Sequence, residues 1–423
     1  MKVDKRILMI VNEFPPTGES GVQRPLKFLK YLAAEGWLCH VVTPKHLPKT
    51  VLDESLCAEI PASAIIHKTP SWGFKGKAVD KVAEIRFQGS QSTTKAFIMR
   101  FLMALNHVIF PIDKQIGWVP FAFIYSWWLI KKHKIRNVYI TAFPFSAFLV
   151  GIMLKKCFKD RIFWVADYRD AWQFEPILGE AVPPFRQAII RHWDKSVLKH
   201  CDRAVFVTPL IQQTYTKHFK WLKGKTSCIT NGYDEADFLD LEPNLSSSTS
   251  LLYMGKLYGV QRRNIMPLLQ VMKDMELQLP LMHVGTVDRD AKAYIDEGNY
   301  DFYSYHGYVS HQEAIELALG ARINLSLIND DEDSEGVYTG KVFELLRAQR
   351  PILALGPPRG VVKDLIEATH SGEYAHLNNP EKIEAALKKL MSDPDSYGCD
   401  LAAIQQYDRK HLTKRLAKLY ERY

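Results

Sequence analysis

Long apolar runs are missing from this chain of 423 residues. Ala96–Ile112 is broken by Arg100, Asn106 and His107, Val119–Ile130 is only twelve residues long, and the run after Ile140 contains Pro144. None reaches the roughly 20 apolar residues that cross a bilayer, so the chain is expected to be soluble or to lie on a membrane surface. Paired cysteines are missing too. Cys39, Cys57, Cys157, Cys201, Cys228 and Cys399 stand far apart with no CxxC pair and no zinc spacing, which fits structural thiols in a reducing, cytoplasmic compartment. The G-x-G-x-x-G fingerprint is absent, and the expected second strand ends "VVTPK" without a carboxylate for a ribose hydroxyl. No glycine loop leads into Lys-Ser/Thr, which disfavours NAD and ATP in their usual modes. No helix-turn-helix, zinc-finger or RNP pattern appears, which weighs against nucleic acid. The "DED" at Asp331–Asp333 lies in an acidic loop rather than in a metal-clamp context, so no metal is expected.

What is present is ordinary globular composition, 47% hydrophobic and 24% charged, in a length that suits two domains. The charge is uneven. Residues 1–240 carry 34 Lys+Arg against 21 Asp+Glu, and the remainder carries 21 against 26. A basic first half implies an anionic partner. The Trp127–Trp128 pair followed by Lys131, Lys132 and Lys134 has the make-up of an interfacial segment, and equally of a buried helix with a basic cap.

Strand-like and helix-like runs alternate along the chain, which predicts parallel sheets with crossover helices. "RILMIV" reads as a first strand rather than a signal peptide, followed by a helix over about 22–34. "NVYITAF", a helix from Ser146, "IFWVAD", a helix over about 184–199 and "RAVFVT" continue the pattern. The Pro- and Ser-bearing stretch up to Ser250 reads as a linker, after which the rhythm restarts with "LLYMG". The expected fold class is therefore α/β, with two Rossmann-like doubly wound domains facing a cleft. Residues 1–240 form the first domain, 241–250 the linker and 251–403 the second. A helix over 404–423 is expected to pack back on the first domain. Ligands gather at the carboxyl ends of strands in such sheets.

Three stretches offer chemistry at those ends. "FPPTGESGVQR" puts Gly18 and Gly21 in a turn opening a helix, where free amides can face an anion; an unliganded turn fits as well. "YMGKLYGVQRR" puts Gly255 and Lys256 after a strand with Arg263 nearby. "EGVYTGKVFELL" puts Lys341 and Glu344 on one face of a helix start, suited to a pyrophosphate and a ribose diol, or to a plain surface ion pair. In "VADYRDAW", Asp167, Arg169 and Asp170 fall just past a strand end. The two carboxylates suit acceptor binding and general-base work with Arg169 tuning them, or a structural Asp-Arg-Asp network. His283 and His306 read as structural.

Taken in order, "FPPTGESGVQRPLKFLKYL", "PIDKQIGWVPFA", "VADYRDAW", "ITNGYDEADF", "YMGKLYGVQRRN", "HGYVSHQEA" and "YTGKVFELLRAQRPILAL" resemble the GT-B glycosyltransferases of glycosyltransferase family 4 over nearly the whole chain. The resemblance implies retaining transfer from a nucleotide diphosphate sugar bound by the second domain, with no further cofactor required. It implies that Glu344 binds the donor ribose and that Lys341 and Arg263 hold the pyrophosphate. Gly307 and Tyr308 would meet the nucleobase, Thr339 and Glu335 would line the donor site, and Gly18 and Gly21 would close over phosphates and sugar. The family pattern of glutamate, seven residues, glutamate is stretched here: eight residues separate Glu335 from Glu344, and Gly336 stands where the first glutamate would be. The acceptor is expected to be a cell-envelope polysaccharide or lipid-linked glycan, met at the inner face of the plasma membrane. The alternatives are a nucleotide-sugar epimerase or phosphorylase of the same architecture, or a non-catalytic membrane-associated relative.

Overall fold

The computed structural model describes residues 4–18, 20–45, 52–72, 112–174, 183–257, 265–330 and 332–421. The apolar stretch before Ile112, together with Arg263 and Asp331, lies outside them. The chain forms two compact units. Residues up to Val207, Ile211–Ile229 and Thr413–Tyr423 make the first, and Thr208–Leu210 with Thr230–Leu412 make the second.

In the first unit β1 (Arg6–Ile10), β2 (Leu38–Pro44), β3 (Ile65–Thr69), β4 (Asn137–Ala142), β5 (Phe163–Tyr168), β6 (Arg203–Phe206) and β7 (Thr226–Cys228) pair in parallel, in the order β3-β2-β1-β4-β5-β6-β7. Their sequences are near-continuous apolar runs because a parallel sheet is covered on both faces. α1 (Ser20–Ala34) follows β1. α2 (Val119–His133), α3 (Ala147–Phe158) and α4 (Pro184–His200) share one core with the strands, and α5 (Pro209–His218) adds Ile211 and Tyr215 to it. Gly151 in α3 lies against the indole of Trp164, so close that a Cβ would sit 2.2 Å from the ring. Its cost to the helix is offset by an approach that no larger residue allows.

The second unit repeats the plan with β8 (Leu251–Leu257), β9 (Leu281–Val287), β10 (Tyr303–Tyr305), β11 (Ile323–Leu327), β12 (Ile352–Gly356) and β13 (Gly372–His376), ordered β10-β9-β8-β11-β12-β13. Its helices are α6 (Met266–Asp274), α7 (Arg289–Gly298), α8 (His311–Gly320), the six-residue α9 (Val342–Arg347), α10 (Val361–Thr369), α11 (Pro380–Ser392) and the short α12 (Leu401–Ile404). α13 (Arg409–Glu421) ends the described chain, and its Tyr420 donates to the Val138 carbonyl in the first unit. In each sheet the strand order reverses once, between β1 and β4 and between β8 and β11. Doubly wound sheets hold ligands at such switch points.

The stretch read as a linker differs from that expectation. Asn244 caps a 3-10 turn over Leu245–Ser247, its amide donates to the Glu316 carbonyl, and the buried Ser247 hydroxyl reaches Asn244 and Leu317 carbonyls at 2.8 Å. The polar side chains there satisfy backbone groups against α8 instead of facing water, so composition alone misreads them.

Asp194 of α4 is fully buried and accepts hydrogen bonds from Tyr168 and Tyr215, each at 2.8 Å. Burial pushes its carboxyl up from 3.8 to about 6. A carboxyl with a higher pKa folded than unfolded binds its proton more tightly in the fold, so the stability it lends is complete below the unfolded value and is lost as pH rises through 6. About two units correspond to roughly 3 kcal/mol. Asp194→Asn, neutral at every pH, is expected to remove that fall in urea-unfolding free energy between pH 4 and 7. An unchanged slope in the variant would contradict the assignment.

Candidate functional site

At the first switch point the carboxylates of "VADYRDAW" have different surroundings. Asp167 is not past the strand end but inside β5, and it is fully buried. Arg24, in the second turn of α1, grips it with two donors, Nη2 to Oδ1 at 2.7 Å and Nε to Oδ2 at 2.9 Å. Tyr139 and Thr141 of β4 donate to Oδ2 at 2.6 and 2.9 Å. Arg24 also donates to the Ile229 carbonyl at 2.8 Å. Burial would raise the Asp167 carboxyl, but Arg24 and these donors overcome it and hold the group below its ordinary range. A sealed, permanently charged acceptor of four hydrogen bonds is a structural anion and does not suit proton transfer.

Arg169 is likewise committed. Its guanidinium donates to the carbonyls of Ala142 (2.7 Å), Gly21 (2.6 Å) and Phe143 (2.8 Å) and to Glu13 (3.2 Å). The Gly21 carbonyl would normally accept from the amide four residues on. That residue is Pro25, inside α1, which has no N–H, and Arg169 supplies the missing donor. Gly21 is needed for the same reason: a Cβ there would sit 1.7 Å from a Glu13 oxygen and 2.3 Å from Arg169 Nη1. The opening that the sequence suggested for a phosphate is therefore filled, at Gly21, by the chain's own ion pair. Gly18 follows β1 in the loop segment ahead of α1 and is partly exposed. Asp170 is the group left over. It is half-buried, no hydrogen bond engages its carboxylate among the described residues, and burial pushes that carboxyl up, with Asp167 adding to the rise and Arg169 opposing it.

At the second switch point neutral groups do the positioning. Gly255 and Lys256 lie in the last three residues of β8, opposite Gly285 and Thr286 of β9. The two backbones come so close that a Cβ on Gly285, whose φ is +136°, would sit 2.0 Å from the Gly255 carbonyl oxygen. Buried His283 lies beneath, with Nε2 2.9 Å from that oxygen and Nδ1 2.7 Å from the Tyr303 hydroxyl. A carbonyl only accepts, so Nε2 carries the proton and Tyr303 donates to Nδ1. Burial lowers the ring's pKa to about 4 and keeps it neutral. Tyr253 donates to the Lys256 carbonyl at 3.1 Å. Gly307, at φ +75°, accepts from the Gly285 amide at 2.7 Å, and Tyr308 beside it is 66% exposed.

Beyond β11, Glu335 lies in a 3-10 turn and pairs with Arg359 at 2.8 Å. Thr339 and Lys341 are half-buried, and Lys341 is the residue before α9. Glu344, in the first turn of α9, accepts from His311 Nε2 at 3.1 Å. Burial would raise this carboxyl, but His311, Lys341 and Arg409 hold it below its ordinary value. The His306 ring lies 3.1 Å from the Ser304 hydroxyl, and its amide donates to the His283 carbonyl at 2.9 Å. Sequence reasoning missed Arg24 and His311, which meet their partners 143 and 33 residues away. The spacing Gly21–Pro25 was the available local signal that a side chain must donate near the start of α1.

Asp167→Asn leaves the buried Arg24 without its counter-charge and is expected to lower unfolding free energy by about 3–5 kcal/mol. Asp170→Asn is expected to change it by under about 1 kcal/mol. Urea unfolding of both variants checks this, and equal effects would contradict the division of roles.

No family model and no curated protein matches the sequence. Solved structures do match in three dimensions. A glycosyltransferase from Rickettsia africae ESF-5 is 13% identical with a TM-score of 0.66, covering 99% of this chain and 98% of that one. Anabaena Alr3699/HepE in complex with UDP is 11% identical with a TM-score of 0.62, covering 99% and 100%. The lipopolysaccharide outer core galactosyltransferase WaaB in its apo form is 12% identical with a TM-score of 0.60, again covering 99% and 100%. The likeness runs through both units from end to end. With the 3-2-1-4-5-6 strand order present twice, this chain has the GT-B glycosyltransferase fold.

Proposed function

We propose that the protein is a retaining glycosyltransferase of the hexosyl type. It moves a sugar from a nucleotide diphosphate sugar, held by the second unit, to a glycan or lipid-linked acceptor met by the first. The observation that carries this reading is Glu344, a half-buried carboxylate kept charged beside Lys341 at a switch point. It suits a ribose diol next to a diphosphate. The UDP complex of HepE supports UDP as the first nucleotide to try. Lys256 and Lys341, with Arg263 as the resemblance implies, would neutralise the diphosphate, and Gly307 and Tyr308 would meet the base. Glu335 and Thr339 would complete the donor site.

In the reaction the bond from the anomeric carbon to the diphosphate oxygen breaks, and a bond to the acceptor oxygen forms on the same face. The acceptor proton passes to the departing diphosphate. Positive charge on the leaving group lowers that barrier without a covalent nucleophile. Asp170 is the carboxylate available to orient the acceptor hydroxyl.

Titration calorimetry with UDP, GDP and ADP is expected to give micromolar-range binding of one of them. Glu344→Ala should weaken it at least tenfold, as expected for a lost hydrogen bond to a charged group. Equal binding by the variant, or no binding of any of the three, would reject the donor site. Release of sugar-free nucleotide only when acceptor is present separates transfer from epimerisation.

The first unit is further proposed to rest on an anionic membrane surface. No described helix is long and apolar enough to cross a membrane. Along α2, Ile124 and Trp128 are 64% and 42% exposed, and Lys131 and Lys132 stand 4.0 and 4.5 Å over the rings of Trp127 and Trp128. An exposed apolar strip ending in lysines suits a lipid interface. Charge reversal at Lys131, Lys132 and Lys134 is expected to abolish flotation with anionic vesicles, and unaffected flotation would reject the surface.

A further inference from the structure

His311 and Glu344 arrive from different elements, the first residue of α8 and the first turn of α9, and meet at 3.1 Å. We propose that His311 is a positioning residue that fixes the Glu344 carboxylate and thereby sets selectivity for ribonucleotides over 2′-deoxyribonucleotides. This rests on the donor-site reading above.

Among the described residues, His311 gives the one hydrogen bond that Glu344 receives. It engages Oε1 and leaves Oε2 uncommitted, aimed by a side chain whose own backbone is fixed. Ser310 caps α8 by accepting from the Glu313 amide at 3.2 Å, so His311 starts from a rigid turn. The far end of α9 is tied as well: Arg347 makes a two-pronged contact with Glu235, at 2.7 and 2.6 Å. A carboxylate free to rotate would spend part of its hydrogen bond to a diol on ordering itself. A carboxylate already held by a donor does not. The vicinal diol of a ribose offers two O–H donors to one carboxylate, whereas a 2′-deoxyribose offers one. Discrimination between them therefore depends on how well Glu344 is aimed. A misaimed carboxylate still neutralises charge beside Lys341 but ceases to tell the two sugars apart.

The test is calorimetric binding, to wild type, His311→Leu and His311→Gln, of the nucleoside diphosphate that wild type binds and of its 2′-deoxy form, with thermal melts as a folding control. His311→Leu is expected to weaken the ribonucleotide about tenfold or more, while the 2′-deoxynucleotide changes less than about threefold. His311→Gln keeps an N–H donor near the place of Nε2 and is expected to restore most of the preference. Equal weakening of both nucleotides, or unchanged binding of the ribonucleotide by a folded His311→Leu, overturns the inference and leaves the donor site standing. Wild type that binds neither nucleotide overturns both.

Discussion

Two buried charges, Arg24 and Asp167, cross-link the first unit at its switch point. Burying an ion costs several kcal/mol, and the pair of Arg24 and Asp167 offsets that only because every face of it is occupied. Four hydrogen bonds reach the carboxylate and the guanidinium spans to Ile229. The pair joins α1, β4, β5 and the end of the β7 segment in one cluster. Arg169 then binds the loops that leave β1, β4 and β5. The switch point is thus tied together by the chain's own groups, and among the described residues no hydrogen bond engages the carboxylate of Asp170 beside it.

The second unit reaches rigidity by other means. Its strand ends are pinned by close backbone approach at Gly255 and Gly285 and by a neutral histidine whose tautomer is dictated by a carbonyl on one side and a tyrosine on the other. His283 is kept neutral beneath Gly255, and the cations near this end include Lys256, in the last three residues of β8, and Lys341, just before α9. A preorganised positive site stabilises developing negative charge more than one that must reorganise, because the ordering cost has been met in folding. The two units therefore use ion-pair locking on one side and neutral locking on the other.

Much of the fold could be read from the sequence because parallel strands are uniformly apolar and their helices begin and end at recognisable residues. "RILMI", "NVYITA" and "INLSL" are strands where their composition says they are. The geometry of the candidate site was legible where it is local: Lys341 and Glu344 lie at the start of one helix, and Gly255 stands near the end of its strand. It was not legible where the deciding partner is remote. "DYRDAW" contains two aspartates of the same kind, and the arrival of Arg24 from 143 residues away makes one a sealed anchor, while the other has no hydrogen bond on its carboxylate among the described residues. Gly21 looked like room for a phosphate because a missing Cβ does not tell what fills the space. The serine run before β8 looked like a tether because hydroxyls that satisfy carbonyls are composed like hydroxyls that face water.

We propose that a nucleotide diphosphate is held at the β8–β11 switch point by Glu344 and Lys341. A crystal structure with UDP bound tests it most directly. The ribose hydroxyls are expected at hydrogen-bond distance from Glu344, the diphosphate against Lys341, and the base near Gly307 and Tyr308. UDP bound elsewhere on the second unit, or on the first, would contradict it.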